Sequence, residues 1–174
     1  VHSVAKAKGV DPHEITVCIL DRPRHAKLIE EVRATGAAIR LIGDGDVAGV
    51  IHTTDPDETG IDLYIGIGGA PEGVLAAAAL RCIGGQMEGR LQLNTPEKIA
   101  RAEKMGIIDP SKIYRMEEMA QGDVLFSATG VTDGNLLAGV KFARDAISTH
   151  TIVMRSSSGT VREIKARHQD LTKF

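Results

Sequence analysis

Along the chain, short runs of β-branched and other apolar residues alternate with stretches whose apolar residues recur every three or four positions, and Gly, Pro or Asp marks each switch. "EITVCIL" (14–20) is predicted to be a buried strand, and "HAKLIEEVRATG" (25–36) an amphipathic helix closed by Gly36. "AIRLIG" gives a second strand, followed by the turn "DGD" and a short helix around "VAGVIHT". "DPDETG" (55–60) reads as an exposed turn and "IDLYIGI" (61–67) as a third strand, after which "GGAPEG" leads into the helix "VLAAAALRCIGG".

The second half continues in the same manner. "QMEGRLQL" is predicted as a strand, and "TPEKIARAEKMG" as a helix with Thr95 as N-cap and Pro96 in its first position. "KIYRMEEMAQG" reads as a short helix, "DVLFSATG" as a strand, and "STHTIVMRSSSGTVREIKARH" as an antiparallel hairpin turned by "SSSG". There are no internal repeats.

This alternation predicts an α/β layered sandwich with a mostly parallel or mixed sheet flanked by helices, forming a single domain over 1–174 and ending in the hairpin. In open sheets of this type ligands sit at the carboxyl ends of the strands. Four loops satisfy that rule: "DRPRH", "GDGD", "GIGGAPEG" and "SATGVTDG".

Composition narrows the partners. With 21 Lys and Arg against 23 Asp and Glu, a formal charge of −2, there is no basic field for nucleic acid. No apolar run approaches the length needed to cross a membrane. Cys18 and Cys82 lie in apolar runs without CxxC spacing and read as buried reduced thiols, which suits a cytoplasmic protein. The opening "VHSVAKAKGVDP" lacks an initiator Met and reads like the last turns of a helix, so the chain is expected to be part of a longer protein.

Each loop has a chemical reading and a plainer one. Arg22 and Arg24 flank Pro23 at a helix mouth, where two guanidiniums can grip phosphate oxygens, or simply be solvated surface arginines. Asp44 and Asp46 on either side of Gly45 can bind a cation or accept from sugar hydroxyls, or else brace a turn and cap a helix. Glu72 follows Gly69 at a helix start, where the backbone favours anions; a carboxylate there either offsets the helix dipole or faces a cation. The GxGxxG spacing of a dinucleotide site is missing, the acids do not follow EF-hand spacing, and the six histidines show no zinc pattern. Together the loops suit a phosphorylated, hydroxylated ligand with a metal ion.

"LDRPRHAKLIEEVR", "LIGDGDVAG", "GIGGAPEGVLAAAALRCIGGQMEGRL" and "SATGVTDGNLLAGV" resemble the class II fructose-1,6-bisphosphatases, members of the lithium-sensitive phosphatase superfamily. The resemblance implies hydrolysis of the 1-phosphate of fructose 1,6-bisphosphate to fructose 6-phosphate in gluconeogenesis, with Mn²⁺ or Mg²⁺, and in some relatives of sedoheptulose 1,7-bisphosphate. It places substrate binding on Arg22, Pro23, Arg24, Asp44, Gly45, Asp46 and Gly69, and a metal ligand on Glu72. It assigns no role to "SATGVTDG". The family's other metal-binding acids and its catalytic Thr lie in an N-terminal segment that these 174 residues do not contain, so the chain is expected to hold no catalytic residue beyond the metal ligand and to be inactive alone. The alternative is a non-catalytic sugar-phosphate-binding domain. A homodimer or homotetramer is expected, with the terminal hairpin offering a strand edge.

Overall fold

The computed structural model describes residues 1–169 and has α/β architecture. Helix α1 (His2–Lys8) leads through a short 3₁₀ turn into strand β1 (Thr16–Leu20). Four of the five residues of β1 are buried, as the unbroken run "VCIL" requires of a central strand with both faces covered. Strands β2 (Ala38–Ile42) and β3 (Leu63–Tyr64) pair with it in parallel on either side, giving the order β2-β1-β3. On one face, Val17 and Ile19 pack against Ala5 of α1 and against Ile29 and Val32 of α2 (Ala26–Ala34).

The other face carries α3 (Asp46–His52) and α5 (Ala70–Ile83), with the single-turn α4 (Pro56–Thr59) between them in sequence. Helix α3 comes close because position 49 is glycine: a Cβ there would stand 3.1 Å from Ile42 and from the Tyr64 ring. Helix α5 in turn uses small residues. Ala76, Ala77 and Leu80 pack with Val50 and with Met116 of α7 (Met116–Met119), while Ala79 and Cys82 meet Phe126 of β6 (Leu125–Thr129) and Met154 of β8 (Ile147–Arg155). The layers therefore run helices, parallel sheet, helices, antiparallel sheet.

That last sheet holds β6 and β7 (Lys141–Phe142) along one side of β8, and β9 (Thr160–His168) along the other. β8 and β9 form the expected hairpin, paired from Ile147↔His168 to Arg155↔Thr160. A two-stranded ladder of β4 (Glu88–Arg90) and β5 (Ile113–Arg115) flanks the amphipathic α6 (Pro96–Lys104), where Thr95 caps as expected by accepting from the Lys98 amide. Among the described residues no helix is long and apolar enough to cross a membrane.

Several expectations need correction. "KIYRMEEMAQG" is not all helix: Ile113–Arg115 is a strand, because pairing with Glu88–Arg90 outweighs local propensity, and α7 covers only one turn after it. "DPDETG" is not a bare turn but α4, whose first turn Asp55 caps by accepting from the Glu58 amide. The third strand is two residues long rather than seven. The helix of 25–36 starts one residue later, after a 3₁₀ turn at Pro23–His25; Thr35 is its C-cap, and the left-handed Gly36 that follows closes it as expected. Finally, "SATGVTDG" begins within β6 of the antiparallel sheet and runs on from it, so it does not extend the parallel sheet's carboxyl edge.

Candidate functional site

Because β1, β2 and β3 are parallel neighbours, the loops that follow them leave the sheet at one edge. These loops carry Arg22–Pro23–Arg24, Asp44–Gly45–Asp46 and Gly69 with Glu72.

In the first loop Arg22, half-buried, donates from Nη1 to the Asp21 carbonyl at 2.9 Å. Arg24 is exposed and donates from Nε to the Ile67 carbonyl at 2.7 Å, which leaves its two terminal nitrogens toward solvent and ties the first loop to the third. Pro23 opens the 3₁₀ turn between them. In the second loop Gly45 is the N-cap of α3 with φ 74°, a left-handed conformation natural to glycine. Asp46 is therefore the first helical residue rather than the cap. Its Oδ1 accepts from the Val47 amide, and its Oδ2 lies 3.3 Å from where a Cβ on Gly68 would stand, so this acid faces the glycine loop.

In the third loop Gly69 is the N-cap of α5 and Glu72 stands in its first turn. A Cβ on Gly69 would collide with the Glu72 carboxylate, which folds back across the glycine. Glu72 is exposed and, among the described residues, makes no hydrogen bond or ion pair. An acid on the dipole of a 14-residue helix with no cationic partner is free to take one.

Asp46, Gly69 and Glu72 line one cleft of about 1030 Å³, together with Tyr64, Glu88, Arg115 and Glu117. Burial, then the Asp46 charge, pushes the Tyr64 phenol up to about 12, so it remains a neutral hydroxyl at physiological pH. Asp44 and Gly45 instead open onto a second cavity of about 690 Å³, on the other side of α3. Thr129, Gly130 and Thr132 of the "SATGVTDG" loop reach this second cavity, so that loop meets the second parallel-strand loop although it belongs to another sheet. Arg22 and Arg24 line neither cavity. The structure thus unites Asp46, Gly69 and Glu72, ties Arg24 to their loop, and turns Asp44 away from Asp46.

Two residues of this region escaped the sequence reading. Tyr64 was visible only as a strand residue. His25 is the one polar or charged residue buried among the described residues, at 0% exposure, and its ring joins the Leu20 carbonyl to the Ile67 amide. Its partner lies 42 positions away, so no local spacing could announce it.

Carboxylate oxygens suit hard divalent cations, and Glu72 fits as one ligand of such an ion. A second group of possible ligands, Asp11, His13 and Glu14, is exposed and precedes β1, at the opposite edge of the parallel sheet.

A protein of Synechococcus sp. (strain JA-3-3Ab), described as D-fructose 1,6-bisphosphatase class 2/sedoheptulose 1,7-bisphosphatase, is 40% identical over 179 residues, covering 95% of this chain and 51% of its own length. Proteins of the same description from Microcystis aeruginosa (strain NIES-843 / IAM M-2473) and Crocosphaera subtropica (strain ATCC 51142 / BH68) are 41% and 43% identical, covering 89% and 92% of this chain and 48% and 50% of their own. The chain spans about half the length of the curated relatives it matches. Residues 1–168 match the bacterial, glpX-encoded fructose-1,6-bisphosphatase family, and the chain belongs to that family.

Proposed function

We propose that these 174 residues are the substrate-binding half of a metal-dependent sugar bisphosphatase that releases the 1-phosphate of fructose 1,6-bisphosphate, with sedoheptulose 1,7-bisphosphate as the alternative substrate. The observation that carries this reading is the cleft in which Asp46, Gly69 and the unpartnered Glu72 meet, bordered by a loop that Arg24 fastens in place. The names of the relatives support both substrates equally.

Within this reading each residue has a task. Arg22 and Arg24 hold a phosphate and fix the pose of the sugar, which raises turnover through positioning. Asp44 and Asp46 accept from sugar hydroxyls, Asp46 within the Glu72 cleft and Asp44 from the second cavity across α3. The open backbone at Gly69 admits the substrate close to α5. Glu72 holds Mn²⁺ or Mg²⁺ through a carboxylate oxygen. When bound, such an ion polarises the phosphoryl group and lowers the pKa of a bound water. One carboxylate is far short of the oxygens that either ion requires, so the remaining ligands come from the part of the protein that the chain does not span. The same shortage favours the second reading, a sugar-phosphate-binding domain without catalysis of its own. Cys18 and Cys82, both buried with thiols pushed up by that burial, fit a reducing cytoplasmic setting for this gluconeogenic step.

Phosphate release from both bisphosphates, measured with Mn²⁺ and with Mg²⁺ on the full-length protein and on this chain, tests the proposal. Release by the full-length protein that stops on chelation supports the enzyme; binding without release supports the sugar-phosphate-binding domain.

A further inference from the structure

We propose that His25 is a positioning residue of this site, a role that rests on the functional reading above: by gripping the Ile67 backbone it sets where Gly69 and Glu72 stand relative to Arg24. The ring nitrogen Nδ1 lies 2.8 Å from the Leu20 carbonyl, and the Ile67 amide donates to Nε2 at 2.9 Å. One neutral tautomer, with its proton on Nδ1, serves both bonds at once. Arg24 takes the carbonyl of the same residue, so both polar groups of the Ile67 backbone are held by two consecutive residues of the first loop.

The need for this clamp follows from the loop itself. β3 pairs with β1 only as far as Tyr64, and the last backbone bond between the two segments runs from the Ile65 amide to the Cys18 carbonyl. Beyond it the chain reads Gly66-Ile67-Gly68-Gly69, three glycines with no side chains to pack and an isoleucine left 41% exposed. Neither a ladder nor burial holds this segment, yet it must deliver Gly69 and Glu72 at a fixed distance from the arginine loop. His25, with no exposed surface, supplies the missing anchor.

A purely structural histidine would make a different prediction, and two variants separate the cases. His25→Gln keeps an acceptor near the Nε2 position and so the bond to Ile67; His25→Asn keeps a polar group near Nδ1 and reaches only Leu20. In the full-length protein, His25→Gln is expected to retain kcat within about threefold, and His25→Asn to lose kcat and Mn²⁺ affinity by about 10- to 100-fold, as loss of a group that orients a ligand does. Hydrogen exchange of the Ile67 amide should be slow in the wild type and in His25→Gln, and about tenfold faster in His25→Asn. Equal exchange in all three proteins, parallel losses of activity and melting temperature in both variants, or failure of both to fold would assign His25 to the core alone and overturn the clamp. A wild-type protein with a protected Ile67 amide but no activity on either bisphosphate would sink the functional reading and leave the clamp standing.

Discussion

Glu72 shows how much a single residue's surroundings decide. In a first helical turn an acid usually completes its helix by offsetting the dipole; here its carboxylate lies across Gly69, exposed and without a partner among the described residues. In the full-length protein Glu72→Ala is expected to weaken Mn²⁺ binding by at least tenfold, roughly the loss of one charged contact, and to lower turnover with it. Gly69→Ala should produce a milder form of the same defect, since the new methyl must displace the carboxylate while the N-cap backbone, with φ −71°, tolerates alanine. Metal titrations of the two variants side by side check this, and an unchanged Mn²⁺ affinity in Glu72→Ala would remove it from the ligand set. The two arginines are expected to differ. Among the described residues Arg22 bonds only to the neighbouring Asp21 carbonyl, so Arg22→Ala should raise KM alone. Arg24 also holds Ile67, so Arg24→Ala should raise KM and lower kcat together. Steady-state kinetics on both variants would show that split.

At the scale of elements, the loop after β6 is folded by two glycines whose α-carbons have backbone against them. A Cβ on Gly139 would stand 2.5 Å from the Thr132 carbonyl carbon and 2.6 Å from the Asp133 nitrogen, and one on Gly130 would collide with the Ala138 carbonyl. Backbone cannot yield as a side-chain end can, so Gly139→Ala should cost about 1–3 kcal/mol of stability in urea unfolding and open the cavity that this loop shares with Asp44. The hairpin is tied down differently. The Arg155 guanidinium, then the Ser157 amide and the Ser156 hydroxyl, hold the Asp123 carboxyl at about 2, below its ordinary range. Stability from this group is fully present above its unfolded pKa near 4 and is lost as pH falls toward 2, so the melting temperature should drop over that window. Asp123→Asn should melt lower at neutral pH and show a shallower fall in acid. The strands at the centre of the fold were legible because burial writes itself as unbroken apolar runs, as in "TVCIL". β3 was overestimated because "IGI" looks like strand until His25, 42 positions distant, draws Ile67 away from the ladder. β5 was hidden for a related reason: "IYR" becomes a strand only through its pairing with Glu88–Arg90. The site was legible to the same extent. Loops after predicted strands were found, but which acids share a cleft depends on how α3 sits, and Gly49 decides that by contact rather than by pattern.

For the molecule as a whole, the site stands at one edge of a three-stranded parallel sheet with helices on both faces, and the antiparallel sheet enters only through the loop that approaches Asp44. Under the proposed function this edge presents binding groups of both signs: arginines for phosphate, Asp46 and Glu72 for hydroxyls and a cation. Coordination sets the limit of what it can do unaided. Mn²⁺ and Mg²⁺ need about six oxygen donors, and water filling most of those positions leaves the ion weakly held and poorly placed. Asp11, His13 and Glu14 before β1 cannot make up the number, since they lie across the sheet from Glu72. The 174-residue chain is accordingly expected to bind inorganic phosphate through its arginine loop, to bind Mn²⁺ only weakly, and to release no phosphate from fructose 1,6-bisphosphate above background. Adding the other half of the protein as a separate chain should restore turnover without any change to this one, because these loops already hold their own geometry through Gly45, Arg24 and His25. Turnover by the chain alone, checked with and without a chelator, would show that the catalytic ligands lie within these residues and would redirect the search to Glu88 and Glu117 of the same cleft.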